Sequence, residues 1–204
     1  VVENHAGANG NIAGDLVAKA QPDGYTLLLG TDSTFVINPH VYAKMPFDPL
    51  KDLIPVASLA NNDFVLSVNP KLPVKTLAEF VDLARKSNPP LFYGSSGNGS
   101  QHHLTMEMLS QAAGIQLKHV PYKGGSPATA ATIAGEVSCM FAGSSTAPQI
   151  KAGNLRAIAT TGLKRSAAFP DVPTIAETYP GFQNSIWLGV FAPNGTPPDV
   201  LKRL

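Results

Sequence analysis

Apolar and polar positions change period repeatedly along this chain, and the changes mark alternating helices and strands. Residues 11–20 read as a helix stopped by Pro22, Asp23 and Gly24, and residues 25–30 as a strand. Residues 54–60 and 64–68 read as two strands joined by Asn61, Asn62 and Asp63, which predicts an antiparallel pair. Thr76 opens a helix with Glu79 three residues later, a capping box, and its apolar positions are Leu77, Phe80, Val81 and Ala84. Strands follow at 91–93, 118–122, 137–141, 155–160 and 185–192. Short helices are expected from Ala147 and within 170–179. This alternation predicts an α/β fold with mainly parallel sheets flanked by helices.

The richest stretch follows Leu91, Phe92 and Tyr93. It runs Gly94, Ser95, Ser96, Gly97, Asn98, Gly99, Ser100, Gln101, His102, His103, and Leu104, Met108 and Leu109 then start a helical pattern. A strand, a tight loop and a helix start leave backbone N–H groups beside the positive end of the helix dipole. The loop has no Lys or Arg, so it would hold an anion through neutral dipoles. The design recurs. A strand runs into Gly30, Thr31, Asp32, Ser33 and Thr34; another into Gly124, Gly125, Ser126 and Pro127, with Ser126 as N-cap and Pro127 at the first helical position; a third into Gly143, Ser144, Ser145 and Thr146. Any one of these also reads as an ordinary helix cap. Four together predict a shared ligand cleft at the carboxyl ends of the strands.

Composition narrows the classes. The 204 residues carry 44% hydrophobic side chains, enough for a packed core, but only 14% charged ones and a formal net charge of +1. No basic face is available for nucleic acid, and no apolar run is long enough to span a membrane. Cys139 is the sole cysteine and sits in an apolar run, a small buried side chain. The chain begins as if at the end of a strand and stops in the first turns of a helix at 198–204. It therefore reads as part of a longer protein, with no signal peptide in view. Asn69-Pro70 and the stretch 181–189 are candidate crossings. They predict a first lobe of residues 1–68 and 188–204, incomplete at both ends, and a second lobe of 69–187, with the cleft between them.

Across its whole length the chain resembles the extracytoplasmic solute receptors of tripartite tricarboxylate transporters, the Bug-type receptors. The matching stretches include Pro22-Asp23-Gly24-Tyr25-Thr26-Leu27, Ile37-Asn38-Pro39, Tyr93 to Ser100 with His103-Leu104, His119-Val120-Pro121-Tyr122-Lys123-Gly124, Pro170-Asp171-Val172-Pro173-Thr174 and Ala192-Pro193-Asn194-Gly195-Thr196-Pro197. The resemblance implies a periplasmic, two-lobed α/β binding protein of the type II class. Such a protein closes on a small carboxylate, a dicarboxylate or an aromatic acid, and delivers it to membrane transporter subunits. With no complete nucleophile, metal or cofactor motif and no long apolar run, no cofactor, no metal, no catalytic residue and no insertion of its own into the membrane are expected. The ligand-binding candidates are Thr31, Ser33 and Thr34; Ser95, Ser96, Asn98, Gly99, Ser100 and His103; Gly125 and Ser126; Gly143 and Ser144; and Trp187. Many family members have an acidic residue and an asparagine where this chain has Ala142 and Gly143, which argues against an amino-acid ligand.

The competing class is an α/β enzyme using the same cleft on a small carboxylate or ester. Its motifs are incomplete: position 98 is Asn, so Gly94-Ser95-Ser96-Gly97 is no nucleophile elbow, and no dinucleotide fingerprint follows. His103 and Glu107, four apart, share a helix face and are the nearest thing to a metal pair; Tyr122 and Lys123 are the acid–base candidates. A third class, an interaction protein, would show a large exposed apolar patch instead.

Overall fold

A computed structural model describes residues 1–204. The chain divides into two compact units, one of residues 1–61 and 186–204, the other of residues 62–185. In the smaller unit, helix α1 (Asn11–Ala18) leads to strand β1 (Leu28–Thr31). A π-helical turn, Ser33–Ile37, then runs into helix α2 (Asn38–Val41). Strand β2 (Leu53–Asp63) and the final strand β8 (Ser185–Pro193), followed by α7 (Pro198–Leu201), complete it. The sheet order is β1-β8-β2, with β1 antiparallel to β8. Val17, Leu28, Phe35, Phe47, Leu53 and Phe191 form its core, with Trp187 packed on the edge.

In the larger unit, β3 (Val65–Val68) and α3 (Leu77–Lys86) precede β4 (Phe92–Ser95) and α4 (Gln101–Ala113). They are followed by β5 (Lys118–Pro121), α5 (Gly125–Ala134), β6 (Cys139–Ala142), α6 (Ala147–Lys151) and β7 (Arg156–Thr160). The sheet order is β5-β4-β6-β3-β7. Strand β4 is parallel to β5 and β6, whereas β3 is antiparallel to both β6 and β7. The carboxyl ends of β4, β5, β6 and β7 and the amino end of β3 therefore meet at one edge of the sheet. Helices α4 and α5 both pack on β4 and β6. Phe64, Leu66, Val68, Tyr93, Met140, Phe141 and Ile158 are fully buried between them.

The architecture is α/β, and three expectations need correction. The sheets are mixed rather than mainly parallel, because β3 enters reversed between β6 and β7. The expected β2–β3 hairpin is absent: residues 61–63 stay extended, and the two strands join different sheets. Every residue of 64–69 is buried, as suits a central strand covered on both faces and not a half-exposed hairpin arm. Residues 1–4 form no strand and are exposed. The division of the chain follows from the same pairing. Because β3 bonds only within the larger sheet, the chain passes into the larger unit at Asn62, and it returns after Ser185. The capping box at Thr76 is present, with Glu79 N–H donating to Thr76 Oγ1 and the Glu79 carboxylate accepting from Thr76 N–H.

Candidate functional site

The loop leaving β4 is held from within. Ser95 is fully buried, and its Oγ lies 3.0 Å from Gly97 O, 3.1 Å from Gly97 N and 2.6 Å from His119 Nε2. One hydroxyl proton and two lone pairs satisfy this set when Ser95 donates to Gly97 O and accepts from Gly97 N–H and His119 Nε2–H. Gly97 and Gly99 have φ of 138° and 71°, values that side-chain-bearing residues rarely adopt. Gly99 N–H donates to His103 Nδ1 at 3.1 Å. Ser100 caps α4 by accepting from His103 N–H at 3.3 Å. Ser96 Oγ is 2.7 Å from His102 Nδ1, and Asn98 is exposed.

Beneath this loop three rings stack. The His103 and His119 imidazoles lie 3.9 Å apart at 8°, and Tyr93 stacks on His119 at 5.0 Å. The Tyr93 hydroxyl donates to Glu107 Oε1 at 2.5 Å, and His103 Nε2 is 3.9 Å from the same oxygen. Burial, then the Glu107 carboxylate, push the Tyr93 hydroxyl up. Burial and then the neighbouring His103 hold His119 down at about 4, with Glu107 opposing them weakly. His103 is lowered by burial against the pull of Glu107, and burial alone holds His102 at about 4. His102, His103 and His119 are thus neutral at pH 7. His103 Nδ1 already accepts from Gly99, and no group of three His, Cys, Asp or Glu side chains is arranged to hold a metal ion.

The neighbouring loops join this rim. Tyr122 N–H donates to Ser95 O at 3.0 Å, tying the loop after β5 to the loop after β4. A methyl group at Gly125 would sit 3.8 Å from His102 Nε2. Helix α5 starts two residues earlier than expected: Gly124 is its N-cap and Gly125 its first residue. Ser126 is therefore exposed inside the first turn and caps nothing, because the turn at Gly124 (φ 122°) already directs the chain into the helix. Gly143 and the exposed Ser144 follow β6, with Ser144 Oγ 3.4 Å from Asn62 Oδ1. At the β7 end, Thr161 Oγ1 accepts from Phe64 N–H and donates to Asn184 O. Asn184 Nδ2 in turn donates to Gln101 Oε1 and Thr105 Oγ1. Half-buried Asp63, its carboxyl raised by burial, lies over Gly162, where a methyl group would fall 2.3 Å from Oδ2.

The remaining candidates belong to the smaller unit. Thr31 ends β1 half-buried, and Ser33 and Thr34 are buried in the turn after it. Asp32, also buried, accepts from Ser33 N–H at 2.8 Å. The turn rests on an amide network in which Asn38, fully buried, accepts from Asn9 and donates to Asn11. Trp187 packs 6.0 Å from Phe35 and 6.2 Å from Phe191, beside an apolar groove of about 280 Å³. The sequence reading missed His102, His119, Asp32, Asp63, Phe64, Thr161 and Asn184. His102 had a visible signal, a histidine in the first turn of α4 downstream of Ser96; the others are joined only by tertiary pairing.

Comparisons with known proteins agree on one family. The sequence model of the tripartite tricarboxylate transporter family receptor matches residues 1–204. Protein BugT of Bordetella pertussis is 36% identical over 207 residues, covering 100% of this chain and 64% of BugT. A structure from R. palustris with adipate superposes with a TM-score of 0.94 at 36% identity, covering 100% of this chain and 69% of that one. MatC from Rhodopseudomonas palustris with bound malate superposes with a TM-score of 0.86 at 32% identity, over 96% of this chain and 67% of that one. The chain spans 61–64% of the length of the first curated relatives it matches. No helix is long and apolar enough to cross a membrane. On these matches, the chain belongs to the tripartite tricarboxylate transporter receptor family.

Proposed function

We propose that the protein is an extracytoplasmic, periplasmic solute receptor. It binds a small carboxylate, a dicarboxylate or an aromatic acid, and presents it to the membrane subunits of a tripartite tricarboxylate transporter. The observation that carries this reading is the rim of the larger unit. Three βα loops built from glycine, serine and neutral histidine gather at one sheet edge, and the loop after β4 has no charged side chain. The adipate and malate bound to two relatives belong to the same ligand class. Binding rather than turnover is the activity, as suits a family of receptors.

The energetics suit such a rim. Micromolar affinity needs about 8 kcal/mol. A hydrogen bond to a charged group contributes about 1.5–3 kcal/mol, so three to five donors with apolar cover over the ligand's body suffice. Ser95 and Ser100 spend their hydroxyls on the loop itself, so their role is to shape it. Ligand-facing donors are assigned to the loop amides, Ser96 with His102, and Gly143 and Ser144; Thr31, Ser33 and Thr34 are the candidates from the smaller unit.

Calorimetry on the full-length receptor with dicarboxylates of four to six carbons, benzoate and the matching amides tests the proposal. Micromolar binding of an acid, with its amide at least a hundredfold weaker, is expected. Equal affinity for acid and amide, or reproducible turnover of an ester abolished by one substitution at His103, Lys123 or Ser96, contradicts it.

A further inference from the structure

We infer that His102 is the side chain that reads the ligand carboxylate in the larger unit, and that Ser96 is its positioning residue; the inference rests on the carboxylate-receptor reading above. Three contacts fix the ring. Its Nδ1 lies 2.7 Å from Ser96 Oγ. Its face leans on the fully buried Phe64 ring, with centroids 4.9 Å apart and planes at 56°. Its other edge lies over Gly125, where a methyl group would stand 3.8 Å from Nε2 and 4.0 Å from Cε1. Nε2 makes no hydrogen bond within the chain, and the absent side chain at Gly125 leaves that edge open. His103 Nδ1 shapes the loop and its Nε2 lies 3.9 Å from Glu107, and His119 Nε2 meets Ser95 within the stack, whereas the free nitrogen of His102 borders Gly125 at the start of α5.

Chemistry gives the edge its role. Burial holds the ring neutral at pH 7, with one proton shared between its two nitrogens. When the Ser96 hydroxyl donates to Nδ1, that proton sits on Nε2, at the edge bordering Gly125, as a donor without a partner in the chain. A neutral N–H donates to a carboxylate or a hydroxyl oxygen. It gives an ammonium group no counter-charge, and an acid is likewise missing at Ala142 and Gly143. The ligand class that fits this edge is a carboxylate whose bound end carries no amino group.

The test uses the full-length receptor and the tightest-binding acid of the calorimetric panel. His102→Phe keeps the packing on Phe64 and removes the donor; a loss of at least tenfold is expected. His102→Gln restores an N–H near the Nε2 position and should stay within about threefold of wild type. Ser96→Ala should weaken binding in the wild-type background and add nothing to His102→Phe, the non-additivity of a residue that acts through another. Gly125→Ala keeps the ring and its supports but covers the open edge, so it should also weaken binding at unchanged melting temperature. This last variant stands if His102→Phe does not fold. Unchanged affinity in folded His102→Phe, equal losses in the Phe and Gln variants, or fully additive Ser96 and His102 effects overturn the inference while leaving the receptor reading intact. Absence of any acid binding by the wild-type protein overturns both.

Discussion

Lowering the pH from 7 to 5 should destabilise this protein through His102 and His119. Each is held at about 4 in the fold against 6.5 as a free side chain. Above 6.5 both folded and unfolded chains carry a neutral ring and the shift is without effect. Between 6.5 and 4 the unfolded chain binds protons that the fold refuses, so stability falls with pH, and it levels off below 4. For one ring the full shift corresponds to about 3.4 kcal/mol and the part expressed at pH 5 to about 2 kcal/mol. Water reaching these partly exposed rings trims this to about 1–2 kcal/mol each, or about 2–4 kcal/mol for the pair. Stacking of His119 on His103 couples two of the titrations, so the drop belongs to the stack and not to one ring. Carboxylates do not confuse the window: Glu177, held at about 2 mainly by Arg165, loses its contribution only below about 4.5. Asp63, raised by burial, works weakly in the opposite direction. Urea unfolding followed by circular dichroism at pH 7, 6 and 5 measures the drop, and His102→Gln and His119→Gln should each remove roughly half of it. The same urea midpoint at pH 7 and pH 5, or an undiminished drop in both variants, refutes the reasoning.

Three further outcomes follow from single contacts. Thr76→Ala removes the capping box of α3 and should cost about 1 kcal/mol in urea titration, most of it recovered by Thr76→Ser. Tyr93→Phe deletes the hydroxyl that donates to Glu107 from a fully buried ring and should cost about 1–2 kcal/mol by the same assay. Gly162→Ala sets a methyl group 2.3 Å from Asp63 Oδ2 and 3.1 Å from Lys164 O, which should cost about 1–3 kcal/mol, with part recovered when Asp63→Ala is added, read as melting temperature.

What the sequence made legible was mostly local. The helix of residues 77–86 was visible because its apolar period and both halves of its cap lie within a few residues. The loop after β4 was visible because glycines, serines and a helix start are contiguous there. Long-range pairing was not. The run 64–68 carries the same apolar signal whether its neighbour is the strand before it or strands far along the chain, so β3 was read as a hairpin arm. At α5 a Ser-Pro pair resembled a cap and first turn, but the turn at Gly124 had already set the helix start. The serines illustrate the deeper limit. Sequence presented them as donors to a ligand, whereas folding brings His119 to Ser95 and His102 to Ser96, which gives those hydroxyls protein partners. No spacing rule exposes a contact between residues of different elements.

The central claim is that a carboxylate sits on the loop rim of the larger unit. Hydrogen exchange with mass spectrometry of the full-length receptor, with and without saturating concentrations of its best-binding acid, tests it most directly. Peptides covering residues 94–103 and 143–147 should gain protection on binding, while the interior of α3, on the same unit and remote from the rim, exchanges unchanged. Micromolar binding with no added protection in either loop would contradict the claim.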